Sequence, residues 1–436
     1  MEFPRLRTRA AEIAEGERAT AEDLDAFADA LRSSDPVRQR SAAYAIEHAV
    51  RNDRTEVDPT GIPFAAGIRT DDPMTVASTL DALGAVGESR PVLIREVLDD
   101  VVERLRGGDA TVRASACSAL ATLADDSPTA IRTATEGLIA CAEDPSPAVR
   151  VGAFTTLGHL VRDEHEPGLA ATPAAVAALR DAAGHVRGSA LTYLGAVAGT
   201  EPGRLVGHVD SIRTPLADPV GSNRASAAYV VSELVKHDPD AVTSALDRIA
   251  GLLDDPDLVA RQNAAYTLLV WDRDVIDSTA GGGLPVAEIG TRLSTLLATD
   301  VISVRTNAGH LAVTVIEEAP AAVPDPGEVT RLLRDVRSDD GVDVPDRLID
   351  RSIDRLDARG ERDAGGRGAE GDRGHGGGSP PDGRDVTPSE TPDDESPGSR
   401  IETAVFGADS NTCDGCGTAL DRYDDLAFCP ECGAEV

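Results

Sequence analysis

The chain has 436 residues, 42 lysines and arginines against 76 aspartates and glutamates, a formal net charge of −34 and only 3% aromatic residues. This is room for a long folded region plus an extra module. No apolar run reaches the ~18 residues of a membrane span, and residues 1–9 are followed at once by Glu12, Glu15 and Glu17, unlike an export signal, so a cytoplasmic protein without membrane insertion is expected. Lys236 is the only lysine. Acidity, arginine in place of lysine and few aromatics point to a cytosol at molar salt, that of an extreme halophile, where the screening length falls to about 3 Å and self-repulsion is relieved.

The first predicted helix covers 21–31, and a second opens at Asp35-Pro36, where a carboxylate can accept from first-turn N–H groups and proline forfeits no hydrogen bond. Val37, Ala42, Ala45 and Ile46 then share a face that Ala43 and Tyr44 widen. The pattern returns at Asp72-Pro73 with Val76, Leu80 and Leu83, and at Asp144-Pro145 with Val149, Phe154 and Leu157. Further copies open at Asp218-Pro219, and at Asp255-Pro256 with Val259, Ala264, Ala265 and Leu268. First helices of each pair are predicted between these, over 91–105, 128–141 and 239–253, several opening at a proline.

Val112-Arg113, Val149-Arg150, Val186-Arg187, Asn223-Arg224 and Ala260-Arg261 place five arginines 37 residues apart, and Val37-Arg38, the degenerate Val76-Ala77 and Val304-Arg305 extend the series to eight units. A period of that length marks helical pairs that bury their apolar faces only by stacking. The interval from Arg261 to Arg305 is 44 residues, and the extra length, holding Gly281-Gly282-Gly283, is expected as an exposed loop. Two shorter segments, 327–336 and 346–356, suit a polar cap on the stack. Cys117 and Cys141 sit singly in helical stripes and read as small buried hydrophobes.

The phrase Asp-Pro-x-Val-Arg-x-x-Ala-Ala-x-x-Leu resembles the HEAT repeat, in particular the HEAT-like variety also found in phycobilin lyases, over roughly residues 20–318. The resemblance implies an all-α solenoid of about eight HEAT-like helical hairpins. It also implies that the arginine of one unit pairs with an aspartate of a neighbour, which makes Arg38, Arg113, Arg150, Arg187, Arg224, Arg261 and Arg305 structural; Ala77 interrupts that ladder. The lyase relatives imply a bilin-binding groove, but no site residues carry over. HEAT-like solenoids with a di-iron site use several His-Glu pairs, whereas this chain has one, His165-Glu166. His48, His159, His185, His208, His237 and His310 are scattered over separate units with no recurring carboxylate beside them. No catalytic residues and no organic cofactor are therefore assigned.

The expected division is a repeat domain over 1–356, a Gly/Asp/Pro-rich disordered linker over 357–400, and a small module over 401–436. In the last, Cys413 and Cys416 are separated by twelve residues from the pair Cys429 and Cys432, each pair followed by glycine. Four thiolates on two such turns suit one structural Zn(II) ion. A module this short lacks an adequate apolar core, and structural zinc in small finger peptides contributes about 10–16 kcal/mol. The segment resembles the short zinc ribbons appended to many archaeal and bacterial proteins, with a spacer shorter than the usual ~15–20 residues. A rubredoxin-like iron site competes but lacks its longer spacer and aromatic core, and nothing marks the chain for the export that a disulfide pair would require. Eight acidic residues against Arg422 alone in 401–436 weigh against nucleic acid and favour a protein partner.

These readings converge on a non-enzymatic scaffold or adaptor that offers its second helices to a protein partner, with the tethered ribbon as second contact. Two competing readings are a cofactor-binding or lyase-like enzyme using the solenoid groove, and a nucleic-acid-associated factor acting through the ribbon.

Overall fold

The computed structural model describes residues 3–52, 59–275, 284–339 and 341–368. Among these the regular elements are helices, with no strand. Helix α1 (Phe3–Ala14) precedes the first hairpin of α2 (Ala21–Leu31) and α3 (Pro36–Asn52), and the second hairpin pairs α4 (Phe64–Ile68) with α5 (Pro73–Gly87). In the third, α6 (Val92–Glu96) and α7 (Leu98–Arg104) together face α8 (Ala110–Asp126). The fourth and fifth are α9 (Thr135–Cys141) with α10 (Pro147–Arg162), and α11 (Thr172–Ala178) with α12 (Gly184–Thr200). The sixth to eighth are α13 (Val209–Ile212) with α14 (Gly221–His237), α15 (Leu246–Gly251) with α16 (Leu258–Val275), and α17 (Val286–Leu297) with α18 (Ile302–Glu318). Helices α19 (Pro326–Arg337) and α20 (Asp346–Gly368) follow, so α20 runs past residue 356, where the linker was expected to begin. The stack occupies residues 1–352 as one compact unit; a second begins at Ile353 within α20.

The eight expected hairpins are present, and the second helices α3, α5, α8, α10, α12, α14, α16 and α18 pack each on the next. Small residues make this possible: a Cβ on Gly152 of α10 would lie 2.6 Å from Cys117 Cβ of α8. The core is a thin run of alanine, valine and leucine between neighbouring hairpins, as expected where each unit buries its face only on the next. Cys117 and Cys141 belong to it as free, buried thiols. Helix α1 was not anticipated, although Leu6, Ala10 and Ile13, its buried residues, have helical spacing.

Three local expectations are corrected. Val37 and Tyr44, placed on the apolar face of α3, are 44% and 46% exposed. Two of the predicted first helices open as 3-10 turns, Pro128–Ala134 ahead of α9 and Asp240–Ala245 ahead of α15, and a third is divided into α6 and α7. Finally, the Asp-Pro pairs open the helix only in the first two hairpins. In the later ones α10, α14 and α16 begin beyond the proline, and Asp144, Asp218 and Asp255 instead accept from the N–H two residues on, at 2.8, 2.9 and 2.8 Å.

The reason is that each of these carboxylates faces the preceding hairpin. Arg113 Nε and Nη2 donate to Asp144 Oδ2 and Oδ1 at 2.7 and 3.1 Å, and Arg224 Nε and Nη2 donate to Asp255 at 2.6 Å each. Arg150 pairs with Asp181, Arg187 with Asp218, and Arg305 with Asp339 at 2.9 Å. In the first hairpin Arg40 faces Asp72, at 3.8 Å. Helix α5 contains no arginine, as the degenerate second copy implied. Among the described residues Arg261 donates to its own hairpin's carbonyls, Asp255 O at 2.5 Å and Pro256 O at 3.3 Å, and to no carboxylate.

Candidate binding face of the second helices

With one side of each second helix in the core and the ladder at its N-terminal end, one long face is left to solvent. Five residues after each rung arginine stand Ser118, Thr155, Thr192, Tyr229 and Tyr266, and the same 37-residue step backwards reaches Asp81 and Tyr44. After the longer interval the equivalent position is His310. Equivalent positions of stacked helices lie side by side, so these residues form a row across the stack. Tyr44, Tyr229 and Tyr266 are 46%, 42% and 39% exposed, Ser118 and Thr192 are also exposed, and Asp81, Thr155 and His310 are half-buried.

The middle of the row, from α8 to α14, crosses helices poor in acidic residues. Helices α10 and α12 contain no acidic residue, α8 has only Asp125 and Asp126 in its last turn, and α14 has only Glu233. Lys236 satisfies Glu233 at 2.6 Å and lies 5.4 Å from the centre of the Tyr266 ring, so the chain's single lysine is held between a carboxylate and an aromatic face. The acidity of the chain is carried elsewhere, as in α7 with Asp99, Asp100 and Glu103. Tyr229 lies against the small surface of Gly195 in the preceding hairpin, where a Cβ would meet its ring at 3.1 Å.

Within this face, α5, α8 and α10 enclose a shallow hollow of about 380 Å³, lined by Ala114, Ser118, Ala148, Val151 and Thr155 among others, with Asp81 its one charged lining residue. Burial pushes the Asp81 carboxyl above the ordinary aspartate range, against the opposing pulls of the Ser115 hydroxyl and the Arg51 charge.

The sequence-singled histidines do not assemble into a site. His165 Nε2 is 3.0 Å from Thr135 Oγ1, and burial first, then the charge of Arg132, keeps it below the ordinary histidine range; Asp163 opposes them. Its neighbour Glu166 reaches toward Arg204 at 3.9 Å. His310 Nε2 lies 2.9 Å from the Asp343 carbonyl, and His48 meets Tyr44 in a tilted ring contact with centres 4.3 Å apart. Among the described residues no three His, Cys, Asp or Glu side chains are grouped as a metal site. The predicted ligands Cys413, Cys416, Cys429 and Cys432, the linker from 369 onward and Gly281-Gly282-Gly283 lie outside the described residues. The row itself escaped sequence reasoning, although its 37-residue spacing is that of the arginines.

Comparison with known proteins agrees with the architecture. A family model described as HEAT repeats matches residues 98–194, and no curated protein matches. The crystal structure of an engineered protein is similar at a TM-score of 0.58 and 18% identity, covering 80% of this chain and 93% of its own. A second engineered protein covers 48% of this chain and 95% of its own at 19% identity and TM-score 0.44. A chain from the structure of Kap95p with RanGDP covers 77% and 47%, at 15% identity and TM-score 0.45. The fold is thus an α-solenoid of HEAT-like hairpins, and among the described residues no helix is long and apolar enough to cross a membrane.

Proposed function

We propose that this solenoid is a non-catalytic scaffold that binds a protein partner along the exposed face of its second helices, with the 401–436 module as a second contact. The observation that carries the reading is the row from Tyr44 to His310: hydroxyls and tyrosines with one carboxylate, Asp81, crossing in its middle helices that are poor in acidic residues, on a chain of net charge −34. Tyrosine supplies large contact area together with a polar tip. Such a face keeps its contacts in the molar-salt cytosol that the composition suggests, where exposed ion pairs are screened within about 3 Å.

The second contact rests on the sequence of the C-terminal segment. One Zn(II) held by Cys413, Cys416, Cys429 and Cys432 would organise a small surface, and linkage through the intervening chain would raise the apparent affinity of two individually weak contacts. Affinity purification from a halophile lysate at molar KCl, comparing the full chain with one ending before Ile401 and measuring metal in both, tests the proposal. A protein partner retained by the full chain and weakened by truncation, with about one zinc lost, is the expected result. A co-purifying chromophore or iron without a protein partner would reassign the face to a cofactor. Nucleic acid retained at molar salt would reassign the C-terminal module.

A further inference from the structure

We infer that the hollow between α5, α8 and α10 receives a lysine or arginine side chain from the bound protein segment, with Asp81 as its counter-ion. The inference rests on the second-helix face being the binding face and names what one part of it recognises. At the other positions of the row from Tyr44 to Tyr266 the residue is Ser, Thr or Tyr, whereas here a carboxylate stands in a hollow whose remaining walls are small or uncharged residues, among them Ala114, Ser115, Ala148 and Val151. No described side chain makes an ion pair with Asp81: it feels the Ser115 hydroxyl and the charge of Arg51, and Arg51 is itself bonded to Glu47 at 3.0 Å. Helix α5 itself contributes no basic residue.

A half-buried carboxylate with no bonded cation is unfavourable, because the Ser115 hydroxyl and the Arg51 charge do not offset its lost hydration. Burial already drives the Asp81 carboxyl upward, and a cation entering the hollow would reverse that penalty. The small walls leave room for an extended aliphatic stem, and a guanidinium or ammonium head could reach the carboxylate while its stem packs on Val151 and the alanines. An acidic or phosphorylated segment is disfavoured by the same charge. Partial enclosure makes this contact less sensitive to salt than an exposed pair.

The test is a random-peptide display library panned against the full-length protein in molar KCl, with the enriched peptides synthesised and titrated against wild type, Asp81→Asn and Ala148→Trp. Asp81→Asn keeps the shape of the hollow and Ala148→Trp obstructs it; circular dichroism and the denaturant midpoint verify that both fold. The expected result is enrichment of a lysine or arginine flanked by small or aliphatic residues. Replacing that arginine by citrulline, which keeps N–H donors but removes the charge, should then weaken binding to wild type about tenfold, and much less in Asp81→Asn, because the charge pairing is lost in the first case only. Enriched peptides without a basic residue, a citrulline effect that persists in Asp81→Asn, or binding indifferent to Ala148→Trp would each overturn the assignment. Peptides blocked by Thr192→Trp but indifferent to Ala148→Trp would remove Asp81 and keep the binding face; failure to enrich any peptide, with no partner in the purification above, would remove both.

Discussion

Arg187 and Asp218, 31 residues apart, join consecutive hairpins through two parallel bonds, Nε to Oδ2 at 2.5 Å and Nη2 to Oδ1 at 2.9 Å. The third guanidinium nitrogen turns back into its own hairpin, donating to the Asp181 carbonyl at 2.9 Å and the Ala182 carbonyl at 3.3 Å. Asp218 does the same in reverse, since its Oδ1 accepts from Val220 N–H at 2.9 Å and its own carbonyl accepts from Arg224 at 2.7 Å. Each rung therefore fixes the loop from which the next rung's arginine is oriented. The planar fork of arginine is what allows one side chain to hold both a carboxylate and two carbonyls.

Removing one member leaves the other buried and unpaired, so Asp218→Asn or Arg187→Ala should each destabilise the α12–α14 junction by about 3 kcal/mol. The Asp218 side chain is only 3% exposed, which limits rescue by solvent or salt. Arg187→Lys keeps the charge and loses the fork, and should recover only part of the loss. Denaturant unfolding in molar KCl checks this, with hydrogen exchange in α12 and α14 reporting whether the loss is local. The double substitution should cost less than the sum of the singles; strict additivity would show that the two residues do not act together.

The same rungs predict how the protein responds to acid. Burial raises the carboxyls of Asp144, Asp181, Asp218 and Asp255, but in each the backbone N–H and arginine bonds together outweigh it and hold the group below the usual aspartate range. A folded-state value below the unfolded value of about 3.9 means that the stabilisation is complete above that pH and is lost as pH falls through the depressed values. Unfolding midpoints should therefore be nearly flat from neutral to about pH 5 and drop below pH ~4. Asp218→Asn should flatten that drop; an unchanged acid limb would mean that other carboxylates govern it.

The hairpins were legible because the arginine period is long-range information written directly in the chain, and Arg113, Arg150, Arg187 and Arg224 are at the junctions where the period puts them. What failed was assignment of each aspartate. A carboxylate before proline satisfies the local N-cap pattern, and only its partner 31 residues earlier reveals that Asp144 or Asp218 serves the neighbouring hairpin. Exposure failed for a related reason: Tyr44 lies on an apolar-looking face of α3, but which side receives α5 depends on packing that periodicity does not encode. Asp81 was invisible because a carboxylate in a helix ordinarily reads as solvated, and its neighbours in the hollow come from two other helices. The four C-terminal cysteines stood out from spacing alone.

Tyr193 tests the polar part of the core. It is fully buried, its hydroxyl donates to the Gly168 carbonyl at 2.9 Å and lies 3.3 Å from Thr172 Oγ1, and burial pushes its phenol up to about 12. Tyr193→Phe retains the ring against Phe154, with centroids 6.0 Å apart in the parent, but leaves the Gly168 carbonyl short of a donor. A loss of about 1–2 kcal/mol is expected, read as a lowered denaturant midpoint at unchanged slope. A neutral result would mean that water replaces the hydroxyl.

With a formal net charge of −34 the folded chain is opposed by its own field in dilute buffer. Its thermal midpoint should rise steadily from low to molar KCl as the screening length contracts to about 3 Å. A flat or falling curve would remove the halophile reading. The buried rungs should respond least: the deficit caused by Asp218→Asn should be nearly the same at both ends of the salt range, whereas substituting an exposed pair such as Arg106 and Glu136 should matter little at either.

The ladder also has a gap that a single substitution should close. Among the described residues Arg261 makes the carbonyl half of a rung's contacts and no carboxylate bond, and the position six residues before the next rung arginine, Arg305, is Thr299 rather than aspartate. Thr299 already makes the equivalent local turn, its Oγ1 accepting from Val301 N–H at 3.4 Å, just as Asp218 accepts from Val220. At present Thr314 of α18 donates to Asp272 of α16 at 3.0 Å, and Arg292 of α17 pairs with Asp254, just before α16, at 3.1 Å. Thr299→Asp should therefore supply the missing carboxylate to Arg261 and stabilise the eighth hairpin by about 1 kcal/mol, the upper range for a partly exposed pair. Hydrogen exchange in α18 should slow in Thr299→Asp and revert when Arg261→Ala is added. Slowing that survives the second substitution would place the gain in the local turn rather than in a new rung.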